Sequence, residues 1–266
     1  MSTFKCQNTN TDYPVPWTRI HGNRDELRVT QMIRAIIETS LVDWDGKITM
    51  VLFVDKCNFM CPFCQNWELI LHPEKFPVIQ WEKIVGVLQR KKGWIDGVVL
   101  TGGEPFVYTK EIRELAENIK KLNLGVKVDT NGAYPEALKE LIDKNILDYV
   151  ALDVKAPLDE RYYSAAGKKI KLENVRESIR LLMRNVVNYE FRTTCVPGII
   201  DEHAIDEIGQ AIKGAQKWAL QVFVPENAYK KEYRKKLSPS YVSTLHKFLV
   251  HAQTYVSNTI LRGKVE

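Results

Sequence analysis

No apolar run in this sequence approaches the roughly 20 residues needed to cross a bilayer. Its first stretch, Met1–Ile20, is polar and interrupted by proline, without the apolar core of a secretory signal. A membrane role is therefore not expected, and the expected location is a reducing cytoplasm. Cysteines are few: there are five, an odd number, and three of them fall within eight residues, which suits a metal site better than a disulfide framework. Net charge is only +5, too mild to argue for a nucleic-acid partner, and none is expected. There is no short repeat and no low-complexity linker. What is present, 45% hydrophobic and 27% charged residues, describes a globular chain. We read it as a single domain over 1–266, with a core at about 41–225 and extensions at 1–40 and 226–266.

From Thr49 onward, two periodicities alternate. Short β-branched runs occur at Thr49–Asp55, Gly97–Thr101, Gly125–Thr130, Leu147–Asp153, Tyr189–Val196 and Ala219–Val224. Between them lie amphipathic stretches at Trp81–Lys92, Lys110–Leu122, Pro135–Asn145, Glu173–Arg184 and Ala204–Ala215, where apolar residues recur at helical spacing, as in Ile112, Leu115, Ile119 and Leu122. Repeated strand–helix alternation predicts parallel strands joined by helical crossovers. The pattern counts six such units, short of a closed eight-unit barrel; an open doubly wound sheet fits it too. Upstream, Ile36–Val42 and Ile48–Val54 are placed to pair across Asp45-Gly46, while a helix over Asp25–Ile37 competes for part of that segment. Downstream, a basic loop precedes an apolar-periodic helix at Tyr241–Val256.

Cys57, Cys61 and Cys64 have helical spacing, but Pro62 opposes a helix, so the reading is a loop that follows the first core strand and curls three thiolates around one centre. Structural zinc takes four ligands, and three cysteines are one short: His72 is close in sequence but followed by Pro73, and neither Cys6 nor Cys195 has a paired partner. Zinc and inert packed thiols stay open at this point, beside an iron–sulfur cluster with one iron left free for a ligand that is chemically changed.

Cys-x3-Cys-x2-Cys, with Phe63 before its last cysteine, resembles the radical S-adenosylmethionine (SAM) superfamily. Further motifs follow in order. Thr101-Gly102-Gly103-Glu104-Pro105 comes after the second strand, Asp129-Thr130-Asn131-Gly132 ends the third, and Leu152-Asp153-Val154-Lys155 ends the fourth. Phe191-Arg192-Thr193-Thr194 lies in the fifth and leads to Val196-Pro197-Gly198. Over roughly Leu41–Pro225 the set is similar to glycyl-radical-enzyme activating enzymes, in particular to anaerobic ribonucleotide reductase activating proteins.

That resemblance implies an α/β fold, a partial (β/α)6 TIM-like barrel with N- and C-terminal extensions. It implies a 4Fe-4S cluster on Cys57, Cys61 and Cys64, and S-adenosyl-L-methionine held at Phe63, Gly102, Gly103, Glu104, Asp129, Asn131, Asp153, Lys155 and Arg192. A monovalent cation is expected at Asp129, Thr130 and Asp153, since two carboxylates at one barrel mouth repel unless a cation intervenes. The implied reaction is reductive cleavage of SAM to a 5′-deoxyadenosyl radical, which abstracts hydrogen from a glycine in a glycyl radical enzyme, anaerobic ribonucleoside-triphosphate reductase. Flavodoxin or ferredoxin would donate the electron, with Lys230, Lys231, Arg234, Lys235 and Lys236 as a docking surface; the competing reading of these residues is a solvated charge run. No side-chain nucleophile is nominated, because the cofactors carry the chemistry. The alternatives are a radical SAM reaction on a small molecule, peptide or RNA, and a non-catalytic metal or electron-transfer module.

The sequence also departs from the family's pattern. Gln65 follows Cys64 where many relatives have His, and Asp43-Trp44-Asp45-Gly46-Lys47 replaces an Asp-Gly-Pro-Gly-Ile-Arg stretch. Val224-Pro225-Glu226-Asn227 replaces Leu-Pro-Tyr-His. Cys195 is expected to pack, and Cys6 is given no role.

Overall fold

The computed structural model describes residues 31–263 apart from residue 236. Strands β1 (Ile33–Ser40) to β8 form one sheet in sequential order: β2 (Thr49–Val54), β3 (Gly97–Gly102), β4 (Gly125–Thr130), β5 (Tyr149–Asp153), β6 (Asn188–Cys195), β7 (Trp218–Val222) and β8 (Thr259–Arg262). β1 pairs antiparallel with β2, and every later neighbour is parallel. The sheet does not close, because β1 and β8 are its two edges. The six strands expected from the sequence are β2 to β7; β8 was not foreseen. The hairpin reading holds, since Ile33–Ile37 lies in β1, and Asp25–Thr30 lies outside the described residues.

Helices fill the crossovers: α1 (Trp67–Leu71), α2 (Trp81–Arg90), α3 (Thr109–Lys121), α4 (Pro135–Asp143), α5 (Arg161–Ala166), α6 (Leu172–Leu182), α7 (Glu202–Ala211) and α8 (Pro239–Ala252). Their starts follow local chemistry. Asp201 caps α7 by accepting from the Ala204 N–H at 2.8 Å, and proline stands in the first turn of α4 and α8. Ile112, Leu115 and Ile119 of α3 are fully buried, as their spacing requires.

Alternation along each strand sorts side chains to two faces. Met50, Leu52, Val98, Leu100, Val126, Val128, Val150 and Leu152 join the helices in the main core. On the inner face Ala35, Val51, Phe53 and Val99 form a second, smaller cluster with Trp44 and Leu69. Trp44, from the β1–β2 turn, is 5.8 Å from the Tyr149 ring at the start of β5. Further round, the inner face of β4 to β8 carries Lys127, Asp129, Asp153, Glu190, Arg192, Gln221 and Arg262, with the small Ala151 and Ala219 in register between them, and holds the site.

Candidate radical-chemistry site

The loop from Lys56 to Cys64 leaves the C-terminal end of β2, and close backbone contacts hold it on several sides. A Cβ on Gly103 would come within 1.9 Å of the Lys56 carbonyl oxygen, and one on Gly167 within 1.9 Å of the Met60 carbonyl oxygen. Only glycine permits either approach. Gly167, which caps α5 at φ 71°, comes with a bond from the Met60 N–H to the Ala166 carbonyl at 2.8 Å. Elsewhere Asn66 Nδ2 donates to Gly102 O at 2.9 Å, Tyr229 N to Cys64 O at 3.0 Å and Lys230 N to Pro62 O at 2.8 Å. Gln65 Nε2 donates to Val224 O at 2.6 Å, and Asn227 Nδ2 to Gln65 O at 2.9 Å. Two of the three departures from the family's pattern thus bond to each other.

Cys57, Cys61 and Cys64 line one cavity. Every other site residue named from the sequence lines it too, except Glu104. Burial pushes the Cys57 and Cys61 thiols up to about 12 and Cys64 to about 11, and the Glu104 carboxylate adds to the rise at Cys57. Protein groups alone therefore leave these thiols neutral; thiolates here require a bound cationic centre. Among the described residues no three His, Cys, Asp or Glu side chains converge to hold a single metal ion. Cys195 is fully buried, with its Sγ near the Thr193 carbonyl at 3.9 Å, and packs as expected. Cys6 lies outside the described residues.

Charges fill the floor of the cavity. Arg192, 3% exposed, donates from Nε to Asp153 Oδ1 at 2.7 Å and from Nη1 to Asp129 Oδ2 at 2.9 Å. It is the cation that the two converging carboxylates need. Burial alone would raise Asp153, but Arg192 and then Lys155, 3.2 Å away, hold it down to about 2. Asp129 is likewise held below the usual carboxylate range against the cost of burial, by Arg192 and Lys127. Asp129 Oδ1 lies 3.4 Å from Lys127 Nζ, yet it is buried without a hydrogen bond among the described residues.

Glu104 sits apart, fully buried. It accepts from Thr130 Oγ1 at 2.8 Å, Asn131 N at 2.7 Å and Phe106 N at 3.2 Å, tying the β3 and β4 loops together. Burial outweighs these bonds and raises it to about 7. Phe63 packs edge-on against Phe223, ring centres 6.5 Å apart.

Several positions at the cavity escaped the sequence reading. Phe53, Thr194, Gln221 and Arg262 also line the cavity. Below Asp129, Lys127 and Glu190 are buried, and Arg262 meets Glu190 through two bonds of 2.8 Å. The signal was a period of two in charge, Lys127 and Asp129 on one strand and Glu190 and Arg192 on another.

Residues 51–210, more than half of the chain, match the model of the radical SAM superfamily. The chain belongs to the radical SAM superfamily. A Methanocaldococcus jannaschii protein provisionally named a glycyl-radical enzyme activating enzyme is 32% identical over 235 residues, covering 87% of this chain and 95% of its own length. A GTP 3′,8-cyclase of Clostridium botulinum is 26% identical over 225 residues, covering 80% and 68%. Among solved structures, a domain of pyruvate-formate lyase-activating enzyme from Bacteroides vulgatus superposes with a TM-score of 0.51 at 16% identity, covering 63% of this chain and 99% of that one, a likeness of fold. Radical SAM membership implies a 4Fe-4S cluster and SAM. The residues present fit both: the three thiols that would ligate a cluster line one cavity, and the charged groups of Asp153, Lys155 and Arg192 line the same cavity, suited to an amino acid.

Proposed function

We propose that this radical SAM enzyme generates a glycyl radical on a partner enzyme, and that the partner is an anaerobic ribonucleoside-triphosphate reductase. The observation that carries the reading is the likeness to the provisionally named activating enzyme over nearly the whole of both chains. The open sheet supports it, because the gap between edges β1 and β8 suits entry of a protein loop. A glycine Cα must approach the reacting atom to roughly 3–3.5 Å.

When bound, the cluster and SAM supply one-electron cleavage of the sulfonium and the power to abstract hydrogen. The chain's own residues hold and orient. Cys57, Cys61 and Cys64 ligate the cluster. Gly102, Gly103 and Asp129 receive the amino group of SAM, while Lys155 and Arg192 face its carboxylate. Phe63, at the cavity wall, would offer its ring to the adenine. Glu104 acts from beneath, as a brace between the Gly102-Gly103 loop and the Thr130-Asn131 turn. Arg192 bridges Asp129 and Asp153, the place where a monovalent cation was expected, and Thr130 turns its hydroxyl to Glu104.

An acidic one-electron carrier, a flavodoxin or ferredoxin, serves as reductant. Two basic segments flank the cysteine loop and support this. Lys230, Lys231, Arg234 and Lys235 are exposed and follow the backbone bonds at Pro62 and Cys64. Lys168, Lys169 and Lys171 are exposed beyond Gly167, on the side facing Met60. Lys236 lies outside the described residues.

The test supplies reduced enzyme and SAM to the reductase from the same source. Deoxyadenosine should form much faster with the partner than alone, a glycine-centred doublet should appear in the partner's electron paramagnetic resonance spectrum, and deuterium on the partner's glycines should reach the deoxyadenosine. The second reading, a reaction on a small molecule such as a nucleotide, is favoured by the likeness to the GTP cyclase. It takes over if the partner gives no signal and a small molecule supplies the hydrogen.

A further inference from the structure

We propose that Asn131 sets the reduction potential of the cluster by donating a hydrogen bond from its side-chain amide to Cys57 Sγ. The inference rests on radical SAM membership and is independent of the substrate.

Asn131 ends the β4 motif and is 5% exposed. Its amide has one orientation open to it. The Ala133 N–H donates to Asn131 Oδ1 at 3.0 Å, so the oxygen must face the turn. Nδ2 then faces the cysteine loop. It donates to Asn58 Oδ1 at 2.8 Å and reaches Cys57 Sγ at 3.9 Å. The backbone is held as well, since Asn131 N donates to Glu104 Oε2 at 2.7 Å. All the polar groups of this side chain are engaged, and both of its N–H groups point to the loop that carries Cys57.

The three cysteines are not treated alike. Cys57 Sγ also receives the Phe59 N–H at 3.4 Å. The Cys61 and Cys64 thiols receive no side-chain hydrogen bond among the described residues; nearby backbone N–H groups relieve their burial. Among the described residues Asn131 is thus the one side chain that donates to a cluster cysteine. Adding an electron to a cluster increases negative charge on its sulfurs. A buried N–H donor stabilises that added charge and raises the potential, making reduction easier. Asn58, which accepts the other N–H, keeps the Asn131 amide aimed.

The experiment is a redox titration of the reconstituted full-length chain without SAM, followed by the electron paramagnetic resonance signal of the reduced cluster. Asn131→Leu removes both donors at similar volume. At the wild-type midpoint, the ratio of reduced to oxidised cluster should fall about tenfold, equivalent to ~59 mV for one electron. Asn58→Ala, which removes the orienting acceptor, should shift the midpoint the same way by less. An unchanged midpoint in Asn131→Leu with an intact cluster overturns the proposal. Weaker SAM binding with no change of midpoint also overturns it, and assigns the amide to the substrate instead. Should Asn131→Leu fail to retain the cluster, Asn58→Ala decides: a lower midpoint upholds the proposal and an unchanged one overturns it.

Discussion

On the outer face of the sheet, Leu52, Leu100, Val128 and Leu152 press apolar side chains against helices, and each is fully buried. On the inner face of the same sheet, Asp129, Asp153, Glu190 and Arg192 are partnered by charge, and three of the four are as hidden from solvent as core residues. Burial is alike on both sides, but its energetics are not. The outer face gains from every apolar contact removed from water. The inner face carries the cost of desolvating ions, and that cost is offset only while each ion keeps its partner. The inner face therefore spends stability on a cavity poised for charged ligands, and the outer face supplies the stability it spends.

The largest effect should come from the thiols. Alanine at Cys57, Cys61 or Cys64 should abolish the iron–sulfur chromophore after anaerobic reconstitution, whereas Cys195→Ala should retain full iron and sulfide. Retention in any of the first three would break the assignment.

Paired substitutions on the two faces sharpen the comparison next. Arg192→Ala leaves Asp129 and Asp153 buried without their cation and should cost about 3–5 kcal/mol in denaturant unfolding. It should also weaken SAM binding to the reduced cluster, read by electron paramagnetic resonance titration. Leu152→Ala, directly behind on the outer face, should cost a comparable 2–5 kcal/mol and leave SAM affinity unchanged. Equal loss of affinity in both variants would mean that the faces are not separable.

Glu104 adds a pH signature. Its carboxyl rises from an unfolded value of 4.5 to about 7 in the folded chain, so the native state favours the protonated acid. Its contribution to stability is complete below pH 4.5, falls as pH rises and is lost above pH 7. Glu104→Gln, uncharged throughout, should remove a slope worth about 3 kcal/mol across that window. Urea unfolding of wild type and variant at a series of pH values reads the difference, and parallel profiles would show that Glu104 does not titrate there.

The smallest effect belongs to the exposed surface. Reversing Lys168, Lys169 and Lys171 to Glu should slow reduction by an acidic carrier by about tenfold at low salt, with the difference shrinking as salt rises. Reduction by a small uncharged reductant should not change. Insensitivity of the carrier's rate would leave these lysines as solvated charge.

Much of this site was legible before folding. The Cys57–Cys64 loop, Gly102-Gly103, Asp129, Asp153 and Arg192 all sit at strand ends or within a strand that periodicity had located, with boundaries shifted by a residue or two. Two kinds of feature were not legible. β8 is four residues long and follows a helix, too short for a period to register. The Gly167 clamp joins residues more than 100 positions apart, Met60 and Gly167, and a glycine after a short helix reads as an ordinary cap. Glu104 is a case between: its place in the motif was evident, but not its withdrawal beneath the cavity.

By itself, the sequence determined the alternation of strands and helices, the outer core and the order of the motifs, because these depend on local periodicity and on residue chemistry within a few positions. Only the tertiary structure decided which charges meet. Arg192 finds Asp129 and Asp153 from two other strands, Asn131 finds Cys57 across 74 positions, and Arg262 of an unforeseen strand finds Glu190. Such pairings depend on register and on the curl of the open sheet, and burial makes them matter, because a desolvated charge without its partner is too costly to keep.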